Sequence, residues 1–137
     1  MNALKPLLFV FSHVEFILVV LLGVMVSCSD IMHDITLENN FTAEVSHSYR
    51  LGPDLLFRID RVEDSRCPAR VQCIQAGDAR VFLSIERPIA IDTSFTVIEN
   101  KIVIQSYTFE LIDVSPYRET PGDIKQKDYR VTMVIRK

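Results

Sequence analysis

FTAEVSHSYRL, residues Phe41–Leu51, decides the fold. Phe41, Ala43, Val45, His47, Tyr49 and Leu51 alternate with Thr42, Glu44, Ser46, Ser48 and Arg50. A period of two is the mark of a strand with one buried face. His47 falls on the apolar side, where a lone imidazole reads as a packed, hydrogen-bonded residue and not as a catalytic base. Working outward, Gly52-Pro53-Asp54 is a turn, Leu55, Phe57 and Ile59 resume the alternation, and Val62 leads into a cysteine-bearing stretch. Beyond it Val81, Leu83 and Ile85 alternate with polar partners until Pro88. Ser94–Glu99 and Lys101–Ser106 flank Asn100, which suits a tight reversal at positive φ. Thr108–Val114 is a further strand, stopped by Ser115-Pro116-Tyr117. Thr120-Pro121-Gly122-Asp123 is a turn, and the closing strand turns Tyr129, Val131, Met133 and Ile135 inward. About eight short strands at regular spacing, with no amphipathic helix among them, predict an all-β fold: an antiparallel β-sandwich, immunoglobulin-like by preference, or a small barrel.

Glu63–Val81, EDSRCPARVQCIQAGDARV, departs from this pattern. Cys67 and Cys73 are separated by five residues, Pro68 fixes one φ angle, and Ala76-Gly77-Asp78 supplies turn chemistry. The spacing predicts a short disulfide loop, worth about 2–3 kcal/mol in the loop-closure account.

At the other end, Lys5 precedes an apolar run reaching Val26, broken by Ser12, His13 and Glu15. The uninterrupted part, Phe16–Val26, has the length of a signal-peptide core and falls short of the roughly 20 residues that span a bilayer. Extending it back to Pro6 would place His13 and Glu15 near mid-membrane without a partner. Met25-Val26-Ser27-Cys28 resembles a bacterial lipobox, with Met25 where Leu is commonest. That resemblance implies cleavage before Cys28 and lipidation of its thiol. A conventional signal peptide cut near Ser27 is the alternative. Cysteine arithmetic agrees with lipidation: of three cysteines, Cys28 takes the lipid and Cys67 and Cys73 remain to pair in an oxidising compartment. The expected organisation is a lipoprotein signal peptide, a signal helix, over residues 1–27, a tether over 28–40 with room for a short strand at its end, and a β-sandwich domain over 41–137.

The formal charge is −3, and removing residues 1–27 takes away Lys5 and Glu15 together, leaving it unchanged. A mildly acidic chain gives no electrostatic reason to expect nucleic acid. No nucleophile–base set stands out, His33 lies in the tether, and no G-x-S-x-G is present. Glu63, Asp64 and Asp78 flank the cysteine loop, and either share a site or pair with Arg61, Arg66, Arg70 and Arg80. Zinc would need His33 and His47 beside the two cysteines at an unusually wide spacing, and calcium at the three carboxylates lacks a loop of the expected kind. Neither metal nor cofactor is expected. Arg50, Arg58, Arg61, Arg66, Arg70, Arg80 and Arg87 crowd the middle third, and a stapled loop displaying Arg66 and Arg70 suits an anionic envelope glycan or protein.

Asp64-Ser65-Arg66-Cys67-Pro68, Cys73, Ala76-Gly77, then Tyr107, Leu111, Val114-Ser115-Pro116-Tyr117 and Tyr129-x-Val131 together resemble a group of small uncharacterised bacterial lipoproteins of Bacteroidetes type that carry a DSRCP…C-x-W-A-G motif. Gln75 stands where that group often has Trp, and Arg70 where Gly is frequent. The resemblance implies a β-rich domain in the cell envelope and brings no reaction with it; the expected localisation is lipid-anchored, at the outer membrane. The resulting expectation is a non-enzymatic envelope protein that binds or stabilises another component. Its rivals are a periplasmic hydrolytic or metal-dependent enzyme using Glu63, Asp64 and Asp78, and an inhibitor presenting Pro68–Gln72 to a protease.

Overall fold

A computed structural model describes residues 31–137; the expected signal peptide and Cys28 lie outside the described residues. Nine strands form two sheets: β1 (Met32–Asp34), β2 (Phe41–Glu44), β3 (Ser48–Leu51), β4 (Leu55–Asp64), β5 (Ala79–Arg87), β6 (Ile91–Thr96), β7 (Lys101–Ile104), β8 (Tyr107–Ser115) and β9 (Arg130–Arg136). The first sheet has the order β1-β3-β4-β5-β6 and the second β2-β9-β8-β7. All pairings are antiparallel except β1 with β3. The fold is a two-sheet β-sandwich. Its core interleaves Leu55, Phe57, Ile59 and Leu83 of one sheet with Phe109, Leu111, Met133 and Ile135 of the other, all buried. Phe57 and Phe109 meet edge to face at 5.4 Å between ring centres. Each such side chain contributes about 1.5–3 kcal/mol through burial.

The alternation over Phe41–Leu51 is real, but it is shared between two strands in different sheets. β2 pairs with β9 (Phe41 opposite Met133), whereas β3 pairs with β4 (Tyr49 opposite Phe57). The chain crosses over at Ser46, whose φ is 66° and whose amide donates to the Ile59 carbonyl at 2.6 Å. Val45, Tyr49 and Leu51 stay buried because both sheets turn an inner face to one core. His47 sits in the crossover, half-buried, with Nδ1 3.1 Å from the Val45 carbonyl oxygen. Asn100 also marks a change of sheet: β6 and β7 do not pair, and the positive φ belongs to Gln105 (53°), in the β7–β8 hairpin. In place of a hairpin, Asn100 extends the β7–β8 pairing by one residue, its carbonyl accepting from the Leu111 amide at 2.7 Å.

β4 changes parity along its length, from Phe57 and Ile59 inward to Val62 inward. The cause is a bulge at Asp60: Ile59 faces Leu83 and Arg61 faces Phe82, leaving Asp60 unopposed. Its carboxylate accepts from Arg58 Nε at 2.8 Å and from Ser84 Oγ at 2.6 Å. The sandwich also begins earlier than residue 41. Met32–Asp34, within the stretch read as tether, forms edge strand β1, and Arg50 holds it by two bonds to the Asp34 carboxylate at 2.7 and 3.1 Å.

β3 stops pairing with β4 at Arg58, which leaves the backbone of Val62 without a strand partner on that side. Gln126 takes the place of one. Its side-chain oxygen accepts from the Val62 amide at 2.8 Å and its side-chain nitrogen donates to the Val62 carbonyl at 2.8 Å. Gln126→Ala is expected to cost about 1–2 kcal/mol, the range for leaving part-buried backbone groups unpaired, read as a lower urea midpoint with an unchanged slope.

Candidate functional site

The cysteine loop is the outward continuation of the β4–β5 hairpin. Regular pairing ends at Asp64 opposite Ala79, and the ladder goes on irregularly, with the Ser65 amide donating to Asp78 O and the Cys67 amide to Ala76 O, both at 2.8 Å. Gly77 makes this approach possible. It has φ 68°, and its Cα lies so close to the Ser65 carbonyl that a Cβ there would collide with it. Cys67 and Cys73 are joined by a disulfide with Cα atoms 5.9 Å apart. Inside the ring, Pro68–Val71 closes a turn, with the Val71 amide donating to Pro68 O at 3.1 Å.

A second loop, following β8, braces the first. The amides of Ala69 and Arg70 donate to the carbonyls of Arg118 and Glu119 at 2.9 and 3.0 Å. The Tyr117 hydroxyl donates to Cys67 O at 2.9 Å, and Arg118 Nη2 to Arg66 O at 2.8 Å. These bonds fix the loop backbone from one side, and the amides of Ala69, Arg70 and Val71 are all taken up by carbonyls of the protein.

Beneath both loops lies an ion pair. Arg66 donates through Nε and Nη2 to the two oxygens of Asp64 at 2.9 and 2.8 Å, and its own amide adds a third bond at 3.0 Å. Nη1 donates to Val114 O at 2.7 Å and Nη2 also reaches Pro116 O at 3.3 Å. The Tyr117 ring covers the guanidinium at 4.6 Å. Only 1 % of the Asp64 side chain and 10 % of the Arg66 side chain meet solvent. Burial alone would raise the Asp64 pKa, but the hydrogen bonds and charge of Arg66, helped by Arg118, outweigh it and hold the carboxyl below its ordinary value. The Tyr129 hydroxyl donates to the same carboxylate at 3.3 Å and is pushed up by burial and by that charge.

This geometry corrects the expectation that Arg66 and Arg70 form a displayed pair. Arg66 is buried because its carboxylate partner stands two residues before it on the same arm of the hairpin, with the carbonyls of Val114 and Pro116 on the other side. Arg70 is exposed and pairs with Glu119 at 2.9 Å. Asp78 is half-buried, and its Oδ1 accepts from the amides of Ala79 and Val97 at 2.7 and 3.1 Å. Glu63 is exposed and pairs with Arg61 at 3.2 Å. Glu63, Asp64, Ser65, Asp78, Arg80 and Thr96 do line one shallow depression of about 290 Å³. Yet Asp64 is committed to Arg66 and Asp78 to the backbone, and among the described residues no three His, Cys, Asp or Glu side chains gather closely enough to hold a metal.

A wider groove of about 750 Å³ runs over the outer face of β4–β6, between Arg58, Asp60, Arg61, Phe82, Ser84 and Asp92. The Arg61 guanidinium lies flat on Phe82, 3.6 Å from the ring centre. Ser84 donates to Asp60, and no histidine lines the groove, so it holds no Ser-His arrangement.

Beside Arg70, Gln72 and Gln75, the braced loop presents apolar side chains to solvent. Ile74 is fully exposed beside Cys73, and Val71 is exposed inside the ring. Val97 and Ile98 follow β6 at the same end, where the Val97 amide donates to Ala79 O at 3.1 Å. Tyr117 is half in solvent next to Cys67. Compared with family models, with curated proteins and with solved structures, the chain matches none of them.

Proposed function

We propose that this protein is a non-enzymatic, lipid-anchored module of the bacterial cell envelope, held at the outer membrane through Cys28, whose cysteine-loop end engages another envelope component. The observation that carries the reading is the contrast within the loop: its backbone is fixed by a disulfide, a buried ion pair and a bracing second loop, while Val71 and Ile74 stand in solvent. A surface that is already ordered loses little entropy on binding, so rigid display of apolar side chains favours recognition. A disulfide also suits an oxidising compartment beyond the inner membrane. Against the enzymatic rival, Asp64 and Asp78 are occupied as structural acceptors and Glu63 is paired with Arg61 at the surface. Against an anionic partner, the two arginines it would use are one buried and one paired.

Cys28→Ala tests the anchor. The unmodified protein should incorporate labelled fatty acid during expression and dissolve only in detergent, whereas the variant should incorporate none. A variant that still takes up label would contradict anchoring through Cys28.

A further inference from the structure

We infer that the component engaged by the cysteine-loop end is the bilayer surface itself, into which Ile74 and Ile98 insert as a second contact beside the lipid anchor. The inference rests on the reading of Cys28 as the lipidated residue. β1 runs parallel to β3, with Met32 opposite Ser48, and Ser48 lies opposite Arg58 of β4. β4 runs from Leu55 toward the cysteine loop at Asp64, and β3 runs the opposite way. The chain therefore enters β1 from the side of the cysteine loop and travels away from it. Cys28 is three residues before Ile31. Met32 stands level with Arg58, about 20 Å short of Asp64 along β4, and three residues reach at most roughly 11 Å even when fully extended, so an acyl chain on Cys28 holds that flank of the sandwich near the bilayer with the cysteine loop projecting farther toward it.

The opposite end, with the β5–β6 and β7–β8 turns, is then directed outward. The loop end carries the fully exposed Ile74 together with Val71, Ile98 and Tyr117, the last an amphipathic ring of the kind that settles at headgroup depth. Exposed charges around it balance: Arg70 pairs with Glu119 and Arg61 with Glu63, while Arg80 and Glu99, one of each sign, make no ion pair among the described residues. Attraction to anionic lipid is thus not the driving force, and apolar insertion into a zwitterionic surface is. A rigid loop suits this, because its apolar side chains cannot fold back onto the domain when lipid is absent.

The chain contains no tryptophan, so a single introduced one reports its own surroundings. Ile74→Trp, Ile98→Trp and, as the outward reference, Val103→Trp would each be made in the full acylated protein and placed in phosphatidylcholine vesicles with and without brominated acyl chains. Val103 is exposed on β7 opposite Thr108, at the start of β8 and away from the cysteine loop. Emission from Trp at 74 and 98 is expected to shift to the blue and to fall about twofold or more with brominated lipid, as for side chains 5–10 Å into the interface, while Trp at 103 stays unquenched. Acylated protein in which Trp at 74 is quenched no more than Trp at 103 overturns the inference and leaves the anchor standing. A blue shift that needs added envelope protein and not lipid overturns it in favour of a protein partner. Protein whose mass shows no acyl group overturns the anchor and the inference together.

Discussion

Replacing Asp64 by Ala is expected to remove about 3–5 kcal/mol of stability, the range for a buried ion pair that loses one member. Arg66 would keep only the carbonyls of Val114 and Pro116 and the face of the Tyr117 ring to oppose a buried positive charge. That is a large part of the 5–15 kcal/mol typical of a whole domain. The loss should appear in urea unfolding as a lower midpoint. A loss below about 1 kcal/mol would mean that the pair behaves as an exposed one. The pH dependence has a definite sign. The Asp64 carboxyl titrates in the folded protein below its ordinary value of 3.8, so its contribution is fully present above that pH and is lost as the pH falls through the lower, folded-state value. Wild-type protein should therefore lose stability in acid, and Asp64→Asn should lack that part of the loss.

Gly77→Ala is expected to be nearly as severe, above about 3 kcal/mol, because left-handed backbone strain of about 1–3 kcal/mol is joined by a collision with the Ser65 carbonyl. The added Cβ would also lie 2.6 Å from the Ser65 carbonyl carbon and 3.1 Å from Arg66 Cα, so two backbone segments have to part. Parting them pulls Arg66 away from Asp64. Gly52→Ala is the internal control. Gly52 has a similar φ of 58° but nothing within 4 Å of its added Cβ, so only the conformational cost of about 1–3 kcal/mol remains. Equal losses at the two positions would refute the close approach at Gly77.

Much of the fold was legible in the sequence because period-two burial is a local property. Val81, Leu83, Ile85 and the closing Val131, Met133, Ile135 fall inward as their alternation predicts. Which strands share a sheet was not legible. Phe41–Leu51 reads as one strand because two facing sheets bury the same parity on either side of Ser46, and nothing in that pattern reports a crossover. The Asp60 bulge left a trace, the change from odd to even inward positions between Ile59 and Val62. The disulfide was legible from spacing, whereas the role of Arg66 was not. Whether an arginine beside a carboxylate is displayed or buried depends on what lies above it, and here that is Val114–Arg118, some 50 residues away. Gln126 left no trace at all. Its neighbours Lys125, Lys127 and Asp128 are exposed and polar, and its pairing with Val62 is a matter of tertiary placement.

The two halves of the proposal meet at the cysteines, one to be acylated and two to be paired. The most direct measurement is the intact mass of the protein expressed in a bacterial envelope and extracted in detergent, taken with a thiol-alkylating reagent before and after reduction. The proposal predicts a chain beginning at an acylated Cys28, with no alkylation until reduction and two additions after it, at Cys67 and Cys73. A chain without acyl groups whose three cysteines all react before reduction would contradict it.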